Sequence, residues 1–321
     1  MSANVFDAIR AASASVMERA RSVRIDDDGL AALAEGLLRV PHEPPQLDPA
    51  HHRVDGARST LAFVLTLNAI NFGSGYFPFL SKRPGLSGYL TIATNLKERF
   101  QSRGPWSVGD LVALGPHHCA AVLGQDPAVP EVAELMGLFA TALNDFGRFV
   151  AEHHGGRFEG VVEFAAGSAA ALVDELATIP FYRDVVRYDE IDVPFYKRAQ
   201  ITAADLSAAF EGRGYGAFRD IDELTIFADN LVPHVLRRKG VLVYTDDLAR
   251  HIDTGELIPA GSPEEVEIRA GAVHAVERCV SSLRNRGASI TAQQIDFLLW
   301  GCGQRPEMKA HPRHRTRTTF Y

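Results

Sequence analysis

The sequence has few cysteines, no long apolar run and no excess of positive charge. Its 321 residues include only three cysteines, Cys119, Cys279 and Cys302, which are widely spaced. They form no C-x-x-C pair, so neither a disulfide framework nor a zinc knuckle is predicted. The longest apolar stretch, TLAFVLTLNAINF at 60–72, is too short to cross a bilayer, and Asp7 interrupts the N-terminal segment where a signal peptide would be apolar. We expect a cytoplasmic protein without a membrane span.

Several motifs for phosphate binding, nucleophilic catalysis and metal binding are also missing. The chain contains no G-x-x-x-x-G-K-[ST], no G-x-G-x-x-G and no G-x-S-x-G. The histidine pairs at 51–52, 117–118 and 153–154 are adjacent residues that point to different faces, and no H-x-x-x-H or E-x-x-H accompanies them. The sequence therefore predicts no metal site.

The net charge of −7 argues against a broad attraction to nucleic acid or to anionic lipid. One local exception is KAHPRHRTRTTFY at 309–321, which contains Lys309, Arg313, Arg315 and Arg317. This segment is either a solvated basic terminus or an anion site. A small anionic ligand fits this charge distribution better than a stable complex with a polynucleotide.

The hydrophobic pattern predicts a mainly α-helical protein. Apolar residues recur every three or four positions in VFDAIRAASASVMERARSV, DGLAALAEGLLRV, VPEVAELMGLFATALNDFGRFVAEH, SAAALVDELATI and EEVEIRAGAVHAVERCVSSLRNR. Ser168, Thr202 and Ser262 are expected to cap helices. The only strand candidates are GVLVYT at 240–245 and FEGVVEF at 158–164. We expect a helical body of two packed lobes that divide near 155–190.

The segment VPHEPPQLDPAHHRVDG at 40–56 has a distinctive composition, with four prolines and three histidines. Proline fixes the backbone and disfavours helix. We expect an ordered, extended segment.

Polar residues inside apolar runs mark candidate sites. In NAINFGSGYF, Asn68 and Asn71 stand beside Phe72 and Tyr76, a set that suits a flat polar ligand or, alternatively, buried helix-capping amides. The segment LTIFADNLVPHVL places Asp229 after an apolar run. There the carboxylate has either a chemical role or a capping role for the following helix.

Two further groups combine charge with aromatic rings. VPFYKRAQ at 193–200 places Lys197 and Arg198 just before a predicted helix, where free N–H groups and cations favour an anion. In DFLLWGCGQ, Asp296 and Trp300 are four residues apart and share one helical face. An acid beside an indole suits a cationic or amidine-bearing ring.

These residues, taken together, resemble a known family. The strings LNAINF, SGYLTIATNLKERF, PFYRDV, FYKRAQITAADL, LTIFADNLVPHVL, GSPEEVEIRA, DFLLW and RHRTRTTFY run in order from about residue 50 to the last residue. They resemble the queuosine salvage proteins, the queuosine 5′-phosphate N-glycosylase/hydrolase family. The resemblance implies one domain over 1–321 with an architecture like helical DNA glycosylases. It also implies hydrolysis of queuosine 5′-monophosphate to ribose 5-phosphate and queuine, which is salvaged into tRNA, without a metal or organic cofactor.

The resemblance also assigns site residues. It places the catalytic aspartate at Asp229. It also implies that Phe227, Asp296, Trp300 and a histidine, either His52, our choice, or the adjacent His51, bind the base. From the residues themselves, Asn71, Phe72 and Gly301 are further candidates at the base. The cations expected at the 5′-phosphate are first Lys197 and Arg198 and then the C-terminal arginines, among them Arg315.

The chemistry of the bond agrees with these assignments. Cleavage of a ribosyl C–N bond passes through a sugar with oxocarbenium character, which a fixed carboxylate such as that of Asp229 stabilises. The 7-deazaguanine base has no N7 to protonate, so other edges must stabilise the leaving group. Asp296 would accept hydrogen bonds from the ring or from the amine of the side arm. Two alternatives stay open: a non-catalytic carrier of queuine, and a base-excision glycosylase that acts on nucleic acid.

Overall fold

The computed structural model describes residues 4–41, 43–52 and 54–321. Within these ranges the chain forms sixteen α-helices and four short strands. The helices α1 to α16 are Val5–Met17, Asp27–Leu37, Pro49–His52, Ala57–Ala69, Gly88–Arg103, Val108–Ala113, Pro116–Leu123, Pro130–His154, Phe158–Ala165, Ala169–Leu176, Lys197–Ala209, Leu231–Arg238, Asp246–Asp253, Pro263–Asn285, Ala292–Gly303 and Pro306–Lys309. The strands β1 to β4 are Val23–Ile25, Val185–Tyr188, Ile191–Pro194 and Leu242–Tyr244. Short 3-10 helices lie at Ser74–Phe79, Pro180–Tyr182, Gly214–Gly216 and Ile221–Glu223.

The prediction of a mainly α-helical fold is confirmed. The expected caps at two helix starts are also confirmed: Ser168 Oγ accepts a hydrogen bond from Ala171 N at 3.2 Å, and Ser262 Oγ accepts one from Glu265 N at 3.3 Å. Each bond satisfies one of the backbone donors that a helix start leaves unpaired. None of the described helices is long and apolar enough to cross a membrane.

The chain divides into two compact units with interleaved segments. The first unit contains Met1–Pro45, Asp184–Lys197 and Asp222–Arg317, and the second contains Gln46–Arg183, Arg198–Ile221 and Thr318–Tyr321. One boundary between the two units falls between Arg183 and Asp184, inside the predicted interval 155–190. That the whole chain acts as one domain with two lobes stays a prediction.

In the first unit, helix α14 forms the centre of the core. It packs against α1, α2 and α12, and most of its residues are buried. Two small antiparallel sheets belong to this unit. Strand β1 pairs with β4, with Ile25 opposite Leu242, and β2 pairs with β3, with Val186 opposite Val193.

In the second unit, the longest helix, α8, has 25 residues and packs against α4, α6, α7 and α9. Its apolar side chains recur with helical spacing, so one face of the helix is buried. The buried residues are Val132, Leu135, Met136, Phe139, Ala140, Ala142, Leu143, Phe146, Gly147, Phe149 and Val150.

Of the two predicted strands, one is confirmed and one is wrong. GVLVYT contains β4, whereas FEGVVEF forms helix α9. In this segment Val161, Val162 and Ala165 are buried and Phe164 is exposed, which is a helical rather than an alternating pattern. The strands β1, β2 and β3 were not predicted, since three or four residues carry too little periodicity to distinguish them from loops.

Two boundary predictions were also wrong. Helix α11 begins at Lys197, so Thr202 lies in its interior, where Oγ1 donates to the carbonyl of Arg198 at 2.7 Å. The proline-rich segment includes the short helix α3, because proline is tolerated at a first helical position and Asp48 Oδ1 accepts from Ala50 N at 2.8 Å. His42 and Arg53 of that segment lie outside the described residues.

Candidate active site

Asp229 stands at the start of helix α12. Its Oδ1 accepts hydrogen bonds from Leu231 N at 2.8 Å and from Val232 N at 3.0 Å. Its Oδ2 makes no hydrogen bond with the part of the chain that the structure describes, and the residue is partly exposed. One oxygen therefore caps the helix, as the alternative interpretation of Asp229 expects. The helix start orients the carboxylate of a residue that keeps part of its surface exposed.

Asp296 is a second carboxyl group close to Asp229. It lies on the buried face of α15, a helix that begins with a capping box between Thr291 and Gln294. Its Oδ1 accepts a hydrogen bond from Phe227 N at 2.9 Å. Burial raises the pKa of Asp296 well above its ordinary value, and the negative charge of Asp229 adds to this effect. A raised pKa keeps this acid neutral over part of the pH range in which an ordinary aspartate is ionised, and its expected role as a hydrogen-bond acceptor for the base stays a prediction.

The run 224–228 is buried but belongs to no helix or strand. Buried backbone groups need partners, and here side chains supply them. The N–H of Phe227 donates to Asp296, and the carbonyl of Ala228 accepts from Arg269 Nε at 2.9 Å. Two side chains thus fix the backbone immediately before Asp229.

Two cationic side chains belong to the same group. The side chain of Lys197 is buried, and its positive charge lowers the pKa of Asp296, although less than burial raises it. Arg313, from the C-terminal segment, is near enough to Asp229 for that carboxylate to favour its charge, while burial lowers the pKa of the guanidinium. The group therefore contains two carboxyls and two cations.

The remaining predicted residues of the first unit are more peripheral. Trp300 is half-buried on α15, one turn from Asp296, whereas Gly301 is exposed and has open space around it. Arg315 Nη2 donates to the carbonyl of Gly255 at 3.0 Å, so this guanidinium is held by backbone.

Histidines that the sequence analysis did not single out lie near Arg313. His314 and His234 are both buried. Burial, with the charge of Arg313, lowers the pKa of His314 to about 3. His234 Nε2 donates to the carbonyl of Met308 at 3.0 Å, and burial lowers its pKa. Both rings are therefore neutral near pH 7 and add no charge to the group.

In the second unit, the two asparagines of NAINF form a buried polar network. Asn68 Nδ2 donates to Asp205 Oδ2 at 2.9 Å, and Asn68 Oδ1 accepts from Asn71 Nδ2 at 3.0 Å. Asn71 is partly exposed, whereas Asn68 is fully buried. The network orients the amide of Asn71.

His52 belongs to a second hydrogen-bonded pair of that unit. Its Nδ1 donates to the carbonyl of Asp48 at 3.1 Å, so Nε2 is the acceptor for the hydroxyl of Tyr89 at 3.0 Å. Burial lowers the pKa of His52 and raises that of Tyr89 well above its ordinary value. The adjacent His51 instead contacts Thr94 Oγ1 at 2.8 Å.

Phe72 and Arg198 are in direct contact within the second unit. The guanidinium of Arg198 lies 4.7 Å from the ring centroid of Phe72 and 4.6 Å from that of Tyr182. Arg198 Nη1 also donates to the carbonyl of Ala69 at 2.6 Å, and the residue is buried. Its contacts are those of an interior cation, and its predicted role at the phosphate stays a prediction.

The structure thus brings Asp229, Asp296, Phe227 and Lys197 together in the first unit, while the roles that the sequence analysis gives them stay predictions. Arg269 and Asp184, which bind each other beside this group, were not singled out from the sequence. The available signal was a charged residue, Arg269, between Ile268 and Ala270 in α14. Among the described residues, no group of three or more His, Cys, Asp or Glu side chains is arranged to hold a metal ion.

Comparison with known proteins gives a consistent result. The family described as queuosine salvage protein matches residues 50–321. A queuosine 5′-phosphate N-glycosylase/hydrolase of Sphaerobacter thermophilus is 38% identical over 311 residues, with 95% of each chain covered. The protein of the same name from Mus musculus is 30% identical over 327 residues, covering 95% of this chain and 96% of the mouse protein. That of Dictyostelium discoideum is 40% identical over 181 residues, or 56% of each chain.

Proposed function

This chain belongs to the queuosine salvage protein family, and on that premise we propose that it hydrolyses the N-glycosidic bond of queuosine 5′-monophosphate. Water adds to C1′, the C1′–N bond breaks, and the products are queuine and ribose 5-phosphate. The observation that supports this proposal most strongly is the pair of neighbouring carboxyls in different environments. Asp229 is partly exposed at a helix start, whereas Asp296 is buried and favours its neutral form.

Asp229 stabilises the positive charge that develops on the sugar. Its Oδ1 is held by two backbone N–H groups, so the carboxylate needs little reorganisation when the charge appears. Its Oδ2 faces the sugar, or orients the attacking water. A preorganised group of this kind typically contributes about 10²–10³-fold to turnover.

Asp296 stabilises the leaving base. As a neutral acid it accepts from Phe227 N through Oδ1 and donates one hydrogen bond through Oδ2 to an acceptor edge of the 7-deazaguanine. This hydrogen bond supports the negative charge that the base gains as the C1′–N bond breaks. The charge of Asp229 raises the pKa of Asp296, and the charge of Lys197 lowers it.

Other predicted residues of the first unit bind the two ends of the substrate. Phe227 and Trp300 offer aromatic surfaces for the base, and stacking on such surfaces typically contributes about 1–3 kcal/mol per base. Gly301 is a further proposed base contact. Lys197 is the leading phosphate ligand, with Arg315 as a further candidate and Arg313 added by its position near Asp229. The roles of His52, Asn71, Phe72 and Arg198, which belong to the second unit, stay predictions from the sequence.

The direct experiment is an incubation of the purified chain with queuosine 5′-monophosphate, followed by chromatographic measurement of free queuine. We expect release of queuine in amounts that greatly exceed the amount of protein. A non-catalytic carrier would bind the nucleotide or the base and release none. The Asp229→Asn variant is the control for contaminating hydrolases, since a contaminant would leave the rate unchanged.

A further inference from the structure

A buried guanidinium–carboxylate pair connects the two chain segments that carry Asp229 and Lys197. Arg269 is fully buried in α14. Its Nη1 donates to Asp184 Oδ1 at 2.9 Å and its Nη2 donates to Asp184 Oδ2 at 2.6 Å. Its Cζ lies over the ring of Phe195, 4.0 Å from the ring centroid. A bidentate, stacked arginine of this kind has one defined position.

The remaining nitrogen of the same guanidinium, Nε, contacts the backbone just before Asp229. Arg269 Nε donates to the carbonyl of Ala228, the residue before Asp229, at 2.9 Å. Asp229 then caps helix α12 through Leu231 and Val232. The backbone before the carboxylate is fixed by Arg269, and the backbone after it by the helix.

Asp184 holds the segment that ends in Lys197. Its carbonyl accepts from Phe195 N at 2.9 Å and from Tyr196 N at 3.4 Å, and its Oδ2 accepts from Lys197 N at 3.2 Å. Tyr196 has a φ of 47°, which is left-handed and unfavourable for a bulky residue. Such a conformation persists where surrounding contacts impose it, and it is found often at functional sites. Here the N–H groups of Phe195, Tyr196 and Lys197 all donate to Asp184.

We propose that the Arg269–Asp184 pair is a positioning device that fixes Asp229 and Lys197 in one geometry. The inference rests on the proposed function, because it gives both residues a role at the substrate. Neither Arg269 nor Asp184 needs to touch the substrate. Misplacement of a reacting group by about 1 Å costs about 10²-fold in rate, so loss of either partner reduces kcat more than it changes KM.

The test compares Arg269→Lys and Asp184→Asn with a matched control in the same helix. Lysine keeps the positive charge but cannot form the fork of bonds to Asp184 and Ala228, and asparagine keeps the shape but not the charge. The control is Glu267→Gln, another fully buried group of α14. Its carboxylate accepts from Arg21 N, Ser22 N and Val23 N at 2.6–3.1 Å and from the hydroxyl of Tyr188 at 2.8 Å.

All variants are measured well below their melting temperatures, with rates corrected for the folded fraction. We expect kcat for queuosine 5′-monophosphate to fall about 10²-fold in Arg269→Lys and in Asp184→Asn, with KM changed less than about threefold. The double variant should lose no more of its kcat than the more impaired single variant, since both changes break the same Arg269–Asp184 pair. Glu267→Gln should lower the melting temperature and keep kcat. Equal kcat in Arg269→Lys and Glu267→Gln would overturn the proposal.

Hydrogen exchange gives a second readout that does not depend on activity. In Arg269→Lys, or in Asp184→Asn if the former does not fold, the amides of 195–197 and of 231–232 should lose protection together. Glu267→Gln should leave both sets protected. Loss at one set alone would show that the pair does not couple the two segments. Failure of the proposed function would appear separately, as a wild-type chain that releases no queuine.

Discussion

Replacement of Asp229 by asparagine removes one charge and little else. The Oδ1 of an asparagine can accept the same two hydrogen bonds from Leu231 N and Val232 N. Asparagine caps helices as well as aspartate does. The expected cost to folding is the lost interaction of a negative charge with the helix start, about 0.3–1 kcal/mol, together with its attraction for Arg313, which the relieved repulsion from Asp296 opposes. The melting temperature should fall by about 2–4 °C at most.

The expected loss of turnover is much larger than the loss of stability. A preorganised contact to the transition state typically accounts for about 2.7–4 kcal/mol, or about 10²–10³-fold in kcat, and for more if the same carboxylate activates the water. Asp229→Ala adds the loss of the cap, about 0.5–2 kcal/mol of folding free energy. Turnover by chromatography, the melting temperature by calorimetry and queuine affinity by titration would be measured on the same preparations. A stable Asp229→Asn protein with undiminished turnover would show that the charge of Asp229 has no part in the reaction.

Four further predictions concern Asp296, Lys197 and the independence of turnover from metal ions. The pKa of Asp296 is raised, so its neutral form is lost as pH rises through that pKa; wild-type kcat should fall on the alkaline side, and Asp296→Asn should lack this fall. The unfolded chain loses that proton at lower pH than the folded chain, so wild-type stability should decline with rising pH relative to Asp296→Asn. Lys197→Ala should reduce turnover of the 5′-monophosphate far more than turnover of the unphosphorylated nucleoside. Turnover should also survive dialysis against a strong chelator.

The following results would contradict the predictions for turnover. If kcat of Asp296→Asn falls at alkaline pH as it does in the wild type, the ionisation of another group causes this fall. Equal losses on nucleotide and nucleoside would make Lys197 structural or part of the chemistry at C1′. Arg24→Ala, at the exposed Arg24–Asp26 ion pair of the first unit, is a suitable control for general charge effects. Activity that returns only on addition of zinc or another metal would contradict the chelator prediction.

The helices were predictable because long periodic segments carry a strong signal. Helices α8 and α14 span many turns, and Ser168 and Ser262 mark helix starts with side chains suited to capping. Short elements carry little signal. FEGVVEF was predicted as a strand because it is short and rich in valine, yet its buried positions follow the helical period.

The candidate site was only partly predictable. Asp229 and Asp296 stand in recognisable strings, and the spacing of Asp296 and Trp300 follows from helix geometry. The protonation of Asp296 was not predictable, since it depends on burial and on a neighbour 67 positions earlier in the sequence. The Arg269–Asp184 pair joins residues 85 positions apart, and sequence spacing alone carries no information about such a contact.

The proposed reaction of this chain is cleavage of the C1′–N bond of queuosine 5′-monophosphate by water. The most direct measurement is a reaction in water enriched in heavy oxygen, with both products quantified by mass spectrometry. We expect equal amounts of queuine and ribose 5-phosphate over many turnovers, with the heavy oxygen on C1 of the ribose phosphate and none on queuine. Recovery of intact nucleotide after prolonged incubation, or release of base without labelled ribose 5-phosphate, would contradict the account.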